Sequence, residues 1–396
     1  MQMRNFLLGT TVALGVAAIG FDAVAQTAPA VRINGHMRFA YGFVDQDNDS
    51  NASTKLSSSD FRQEAEVDVN VEGTAANGIV YGAQIEIQFD RGRNRDQTTT
   101  ADLDEAFLFL RSETLGVIQL GNNEGMGNQF LVGSIAGFAT GGVDGDLNDF
   151  VVGETSNYFT FDSGDNTKIN YRSPKFFGFD FGASFAFNQS EGTLECGSLS
   201  ASCQRLSEAD DVAQAKDIYE LAARYGVELG SFGLTFGAAY IGSSAVDKRT
   251  PAGASFDGVS LVNLGVEATF AGLTVGGHYV FGSGNGGVTP LPSSGNNDDM
   301  SQYLVGAQYQ LGAFLIGAHY FSNTYEGGTG ASFADDREDK GYAVGVSYTL
   351  APGLDIIAEY VSVEVKENSS TAALLGGDPS IDQTNKVFQL GARLSF

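Results

Sequence analysis

Acidic side chains dominate the chemistry available to this chain: 48 Asp and Glu stand against 22 Lys and Arg and 3 His, a formal charge of −26. Four of the acids, Asp144, Asp146, Asp149 and Glu154, fall in one long connecting stretch, residues 122–165. Three bases, Arg38, Arg62 and Lys168, fall on segments of alternating polarity, each on the polar face. If such a loop and such segments came to share one aqueous space, their opposed charges would set up a field that orients polar solutes and disfavours apolar ones. That is electrostatic rather than covalent work.

Covalent and metal chemistry find little support. His36, His278 and His319 lie on separate segments, and there is neither a nucleophile elbow nor a paired acid–base arrangement, so no enzyme is expected. Gly282-Ser-Gly-Asn-Gly-Gly287 lacks the Lys-Ser/Thr that a phosphate cradle requires. Asp45-Gln-Asp47-Asn-Asp49 resembles half a calcium loop, but Leu56 stands where the twelfth-position Glu belongs and the sixth-position Gly is missing. An EF-hand is excluded; no cofactor is expected beyond loosely bound Ca2+ at the acidic loops. The chain also lacks the clustered Lys and Arg that a nucleic-acid backbone needs.

The elements that must position these groups are strands in an exported chain. Residues 1–5 carry a single basic side chain, Arg4, residues 6–20 are apolar, and Ala23-Val24-Ala25 offers small residues to a signal peptidase. Residues 1–25 therefore read as a signal peptide, and 26–396 as one unit. Outside the cytoplasm, Cys196 and Cys203 are expected to form a local disulfide in an outer loop. No later segment has the ~18 uninterrupted apolar residues of a membrane helix. Charged residues make up 18%, below the usual ~25%, while 52 Gly, 29 Phe and 15 Tyr favour many short strands.

Period-two alternation bears this out. Val31, Ile33, Met37, Phe39, Tyr41 and Phe43 share one face; Arg32, Asn34, His36 and Arg38 share the other. Sixteen such segments are legible, near 30–44, 60–73, 78–91, 101–112, 115–122, 166–173, 177–189, 216–230, 233–244, 258–271, 272–283, 301–311, 313–323, 340–350, 353–366 and 384–396. The fourth is apolar on both faces, and the fifteenth loses phase near Val361, as a bulge would cause. Short turns alternate with long polar loops, the layout of an outer-membrane barrel. Within 122–165, the i, i+4, i+7 spacing of Leu131, Ile135 and Phe138 predicts a short helical turn.

Two motifs connect this pattern to a known family. Tyr171-Arg-Ser173-Pro174-Lys-Phe176-Phe-Gly178 resembles the strand–turn–strand signature of Gram-negative general porins, and the chain closes on an alternating apolar run ending at Phe396. The resemblance, closest to alphaproteobacterial porins, implies a 16-stranded antiparallel transmembrane β-barrel in the outer membrane. It implies a homotrimer whose third long loop, 122–165, folds inward as a constriction. The acids named above would face Arg38, Arg62 and Lys168 across that constriction. Phe396 would be the signal for the barrel-assembly machinery. Outer-membrane lipid and lipopolysaccharide would surround the wall, and small hydrophilic solutes would pass within.

The chain departs from the family where positive charge is common: Gly121 is followed by Asn122-Asn123-Glu124. Inward Glu64, Glu66, Asp68, Glu86, Glu220, Glu228, Glu267 and Glu359 add to the deficit, so passive diffusion with a preference for cations is expected. The competing expectations are a channel with a dedicated substrate and a surface protein whose loops act as an adhesin or receptor.

Overall fold

The computed structural model describes residues 26–47, 57–91, 101–145, 147–151, 158–189, 215–245, 256–288, 290–292, 299–326, 336–368 and 380–396. Residues 1–25, expected to be a signal peptide, and Cys196, Cys203, Asp146 and Glu154 lie outside these residues.

Alternation becomes wall. The strands are β1 Thr27–Gln46, β2 Ser59–Thr74, β3 Val80–Arg91, β4 Ala101–Ser112, β5 Gly116–Asn122, β6 Thr167–Arg172, β7 Phe179–Asn188 and β8 Ala215–Leu229. They continue as β9 Phe232–Ala245, β10 Ser260–Phe270, β11 Leu273–Ser283, β12 Asp299–Leu311, β13 Phe314–Glu326, β14 Asp336–Ala351, β15 Leu354–Asn368 and β16 Ser380–Ser395. Each pairs antiparallel with its neighbours in sequence, and β16 returns to β1, with Phe43 opposite Phe388 and Met37 opposite Leu394. Phe396 completes the seam by exchanging backbone hydrogen bonds with Gly35, at 3.0 and 3.1 Å. Closure leaves no strand edge unpaired, as a sheet in lipid requires. A separate two-residue ladder joins Phe256–Asp257 to Leu291–Pro292.

The apolar faces look outward: Phe39, Leu108, Leu221, Val305, Val344 and Leu390 are all exposed. The core lies on the inner side, where buried residues of the wall meet those of the loop between β5 and β6. The fourth segment's second apolar face is explained here. Phe107 and Phe109 turn inward, the Phe109 ring lying over Gly82 and the Cα and Cβ of Phe107 lying against Gly121.

The strands run further toward the long loops than alternation suggests. β14 begins at Asp336 and β16 at Ser380, because hydrogen-bonded pairing continues after the lipid-facing stripe has ended. There the outward residues are charged and paired: Lys366 to Glu364 at 2.6 Å, Lys386 to Asp45 at 3.2 Å, and Lys340 to Glu338. This also corrects the reading of β15, which has no bulge at Val361. Its register with β14 and β16 runs unbroken there, with Val361, Val363 and Val365 buried inside. Above the hydrocarbon layer the outside is water, so the polar and apolar faces exchange roles.

Candidate functional site

The loop between β5 and β6 does not hang free. It lies along the inner wall from β7 round to β16 and the top of β1 and β2, and then returns. Its described residues include two short helices, α1 Met126–Gln129 and α2 Leu147–Phe150, and one 3-10 turn, Gly142–Asp144. The expected helical turn at 131–138 does not form; Ile135 and Phe138 are buried against different strands instead, beside Gly306 and Gly317. Fully burying a side chain of this size contributes about 1.5–3 kcal/mol. Phe130, Ile135, Phe138 and Phe161 are each fully buried.

Glycines on the inner face make the trench in which the loop lies. Gly182, Gly237, Gly306, Gly317 and Gly345 each leave space that a loop side chain takes up. A Cβ on Gly317 would stand 2.1 Å from the Phe138 ring. Gly317→Ala should therefore push Phe138 off the wall and cost about 1–3 kcal/mol, as overpacking does. A lower urea midpoint for unfolding, with β-sheet circular dichroism unchanged, checks this.

Polar side chains from the wall fasten the loop at fixed points. At its base, buried Glu220 of β8 accepts the backbone N–H groups of Gly127, at 2.6 Å, and Ser163, at 3.1 Å. Ser184 of β7 accepts Met126 N–H at 2.7 Å. Midway, Gln302 of β12 holds Phe159 by both its N–H and its carbonyl, each at 2.8 Å. His278 of β11 meets the Tyr158 hydroxyl at 2.8 Å. At the tip, Glu359 of β15 accepts from Gly142 N–H at 3.0 Å and from the Thr140 hydroxyl. Gln389 of β16 braces Glu359 and Thr140, both at 2.8 Å. His319 of β13 and Ser347 of β14 hold Val143, Ile135 and Ala139.

Glu220 and Glu359, expected on polar grounds to line the aqueous lumen, are thus covered by the loop and serve as its anchors. The other anchors carry no local signal: nothing beside Gln302, Gln389 or the three His marks them in sequence. The clue that was present is the inward glycine recurring on strand after strand.

Of the bases, Arg38 and Arg62 meet the loop. Arg38 lies 2.5 Å from Glu64 and 3.8 Å from Asp149. Arg62 donates to the Asp149 carbonyl at 2.5 Å, pairs with Asp60 at 2.7 Å, and lies over the Phe150 ring at 5.6 Å. Lys168 is not brought to that group. It is buried at the loop's base, where its ammonium donates to Ser163 Oγ at 2.9 Å and to the Gly164 carbonyl, with Asp162 at 3.7 Å.

The loop leaves most of the inner faces of β2 and β3 uncovered, and this wall is acidic. Carboxylate oxygens of Glu66, Asp68 and Glu86 lie within 4.8 Å of one another, half-buried. His36 stands between Glu64, at 2.8 Å, and Glu66, at 3.5 Å. On the loop side, Asp144 is reached by lumen water yet lies deep in the barrel, and the surrounding protein pushes its carboxyl up, to about 7. Burial, with Asp162 and Glu105 adjoining, raises Glu124 to about 7. Burial, with Asp162 beside it, raises Asp165 to about 6. Acids therefore stand both on this wall and on the loop, while Arg38 and Arg62 are engaged.

Comparison with known proteins agrees with this architecture. A family model described as Gram-negative porin matches residues 9–369. An anion-selective porin from Comamonas acidovorans superposes with a TM-score of 0.59 at 14% identity. OmpT of Vibrio cholerae, in its trimer form, gives 0.58 at 15%, and a mutant of the Rhodopseudomonas blastica porin gives 0.55 at 14%. In all three cases 93% of this chain covers 100% of the other. No curated protein sequence matches the chain.

Proposed function

The chain belongs to the Gram-negative porin family and is an outer-membrane diffusion channel; from that premise we propose that it is a cation-preferring channel for small hydrophilic solutes. The observation that carries the preference is the wall of Glu66, Asp68 and Glu86 together with a loop that exposes Asp144. Low-dielectric walls focus the field of such groups into the water between them, which enriches cations and depletes anions. Arg38 and Arg62 do not offset it, since both are spent on Glu64, Asp60 and Asp149. One neighbour of the same fold is described as an anion-selective porin; at 14% identity its lumen charges are not those of this chain, and the proposed sign rests on this chain's own acids. Three barrels side by side, as in the trimer form of Vibrio OmpT, are the expected assembly. Phe396 would serve as its assembly signal, and lipopolysaccharide would surround it.

The reversal potential across a planar bilayer in a tenfold KCl gradient tests this reading, and a clear anion preference defeats it. The preference should also grow with pH. Asp144, held up to about 7, is largely neutral at pH 5 and ionised at pH 8, so each ionisation adds negative charge to the lumen. Asp144→Asn should reduce the rise in cation preference between those pH values; an unchanged rise would remove Asp144 from the aperture.

A further inference from the structure

The tip of the loop rests on one imidazole. His319 is buried, and the loop uses both ring nitrogens: Nδ1 lies 2.6 Å from the Ile135 carbonyl oxygen, and Nε2 lies 3.1 Å from the Val143 backbone nitrogen. A carbonyl can only accept, so Nδ1 carries a hydrogen; a backbone N–H can only donate, so Nε2 is bare. The partners thereby fix one neutral tautomer. The two bonds clamp both ends of the segment 135–143, which includes the start of the 3-10 turn. Packing is close on the same ring. Gly142 has φ 68°, and a Cβ there would stand 2.4 Å from the imidazole, while the Phe138 ring centroid is 5.3 Å away.

We infer that His319 is the positioning residue that holds the constriction loop at its working place, and that a proton on Nε2 releases the loop tip and interrupts the open channel. This rests on the reading of the loop as the constriction. With Nε2 protonated, an N–H would point at the Val143 N–H across 3.1 Å, turning a hydrogen bond into a contact between two donors. The titratable and charged groups around the ring offer no ready compensation. From β15, the Glu359 carboxylate is engaged by Thr140, Gly142 and Gln389. From the loop, Asp144 is turned to the lumen water. The neighbouring strands present Leu304, Gly306, Ala343 and Gly345, none of them charged. The Glu359 carboxylate keeps its charge but not an open position, so the protonated Nε2 finds an acceptor only if the loop moves.

His278 supplies an internal contrast. Its Nε2 faces the Tyr158 hydroxyl at 2.8 Å, and a hydroxyl can donate or accept. That clasp survives protonation; the one at His319 does not.

Single-channel recordings in planar bilayers between about pH 7.5 and 4.5, the range over which histidine changes charge, test the inference on the full-length protein. The wild type should be steadily open at the upper end, with closures at least ~10-fold more frequent at the lower end, as a one-proton switch over this span allows. His319→Gln can accept from Val143 and donate to Ile135 without titrating, so it should stay open throughout. His319→Phe should close often at every pH, and His278→Gln should keep the wild-type profile. The inference is overturned if the wild type is flat across the range or if His319→Gln retains the wild-type profile. Should His319→Phe fail to assemble, the comparison with His319→Gln still decides. Failure of the constriction reading looks different: Asp149→Asn would then leave conductance and selectivity unchanged, whatever the closures do with pH.

Discussion

Glu220→Ala should lower the stability of the barrel by about 2–4 kcal/mol and unfasten the base of the loop. Glu220 is wholly buried, and its two oxygens accept the N–H groups of Gly127 and Ser163. Removing the carboxylate leaves two buried donors without an acceptor, at about 1–3 kcal/mol each. Water entering the space left by the side chain would offset part of that. The damage should not stop there. Lys168, itself buried two strands away, keeps Ser163, Gly164 and Asp162 as partners only while the loop base stays in place. Glu220→Gln is the informative partner variant. Its amide oxygen can accept one N–H, but its amide nitrogen then faces the other, so it should fall between wild type and alanine. Urea midpoints for the detergent-solubilised protein order the three. Equal midpoints would show that the base is held by packing of Met126, Phe130 and Phe161 alone.

Neutralising the uncovered wall should have the largest effect on what passes. The triple change Glu66→Gln, Asp68→Asn and Glu86→Gln removes a cluster of three acidic groups whose oxygens lie within 4.8 Å of one another and which share their negative charge. A unit charge ~4 Å from a passing ion contributes about 1 kcal/mol even at the dielectric constant of water, so the cation-to-anion permeability ratio should drop by roughly 10-fold at low salt. The effect should shrink toward 1 M KCl, where the screening length falls to about 3 Å. Replacing Glu66 and Glu86 by Lys should carry the reversal potential through zero. A ratio that the triple variant leaves unchanged would place the ion path elsewhere in the lumen. Gln and Asn preserve side-chain shape, so conductance at high salt separates loss of charge from collapse of the opening.

These two results would draw a line through a set of carboxylates that looks uniform in sequence. Glu66, Glu86, Glu220 and Glu359 all occupy inward positions on alternating strands. Alternation distinguishes inside from outside because lipid and water are separated across one strand, and a period of two residues records that locally. It carries no information on which inward residue a distant loop covers. Thr140 and Glu359 are 219 residues apart, and Val143 and His319 are 176 apart. Contacts of that separation leave no mark on the residues beside either partner.

The sequence by itself determined sixteen strands, their inner and outer faces, their short and long connections, and one long loop with an apolar side. Each follows from local patterning: period-two polarity, turn residues, and apolar groups spaced along a stretch too long for a plain turn. Only the tertiary structure decided how that loop is used. It turned Glu220, Glu359, His278 and His319 into fasteners, kept Lys168 away from the aperture, and left Glu66, Asp68 and Glu86 to face the water. The physical reason is coverage. Once the loop lies in its trench of glycines, an inward polar group either loses water and must find a donor or acceptor, or keeps water and acts on whatever passes.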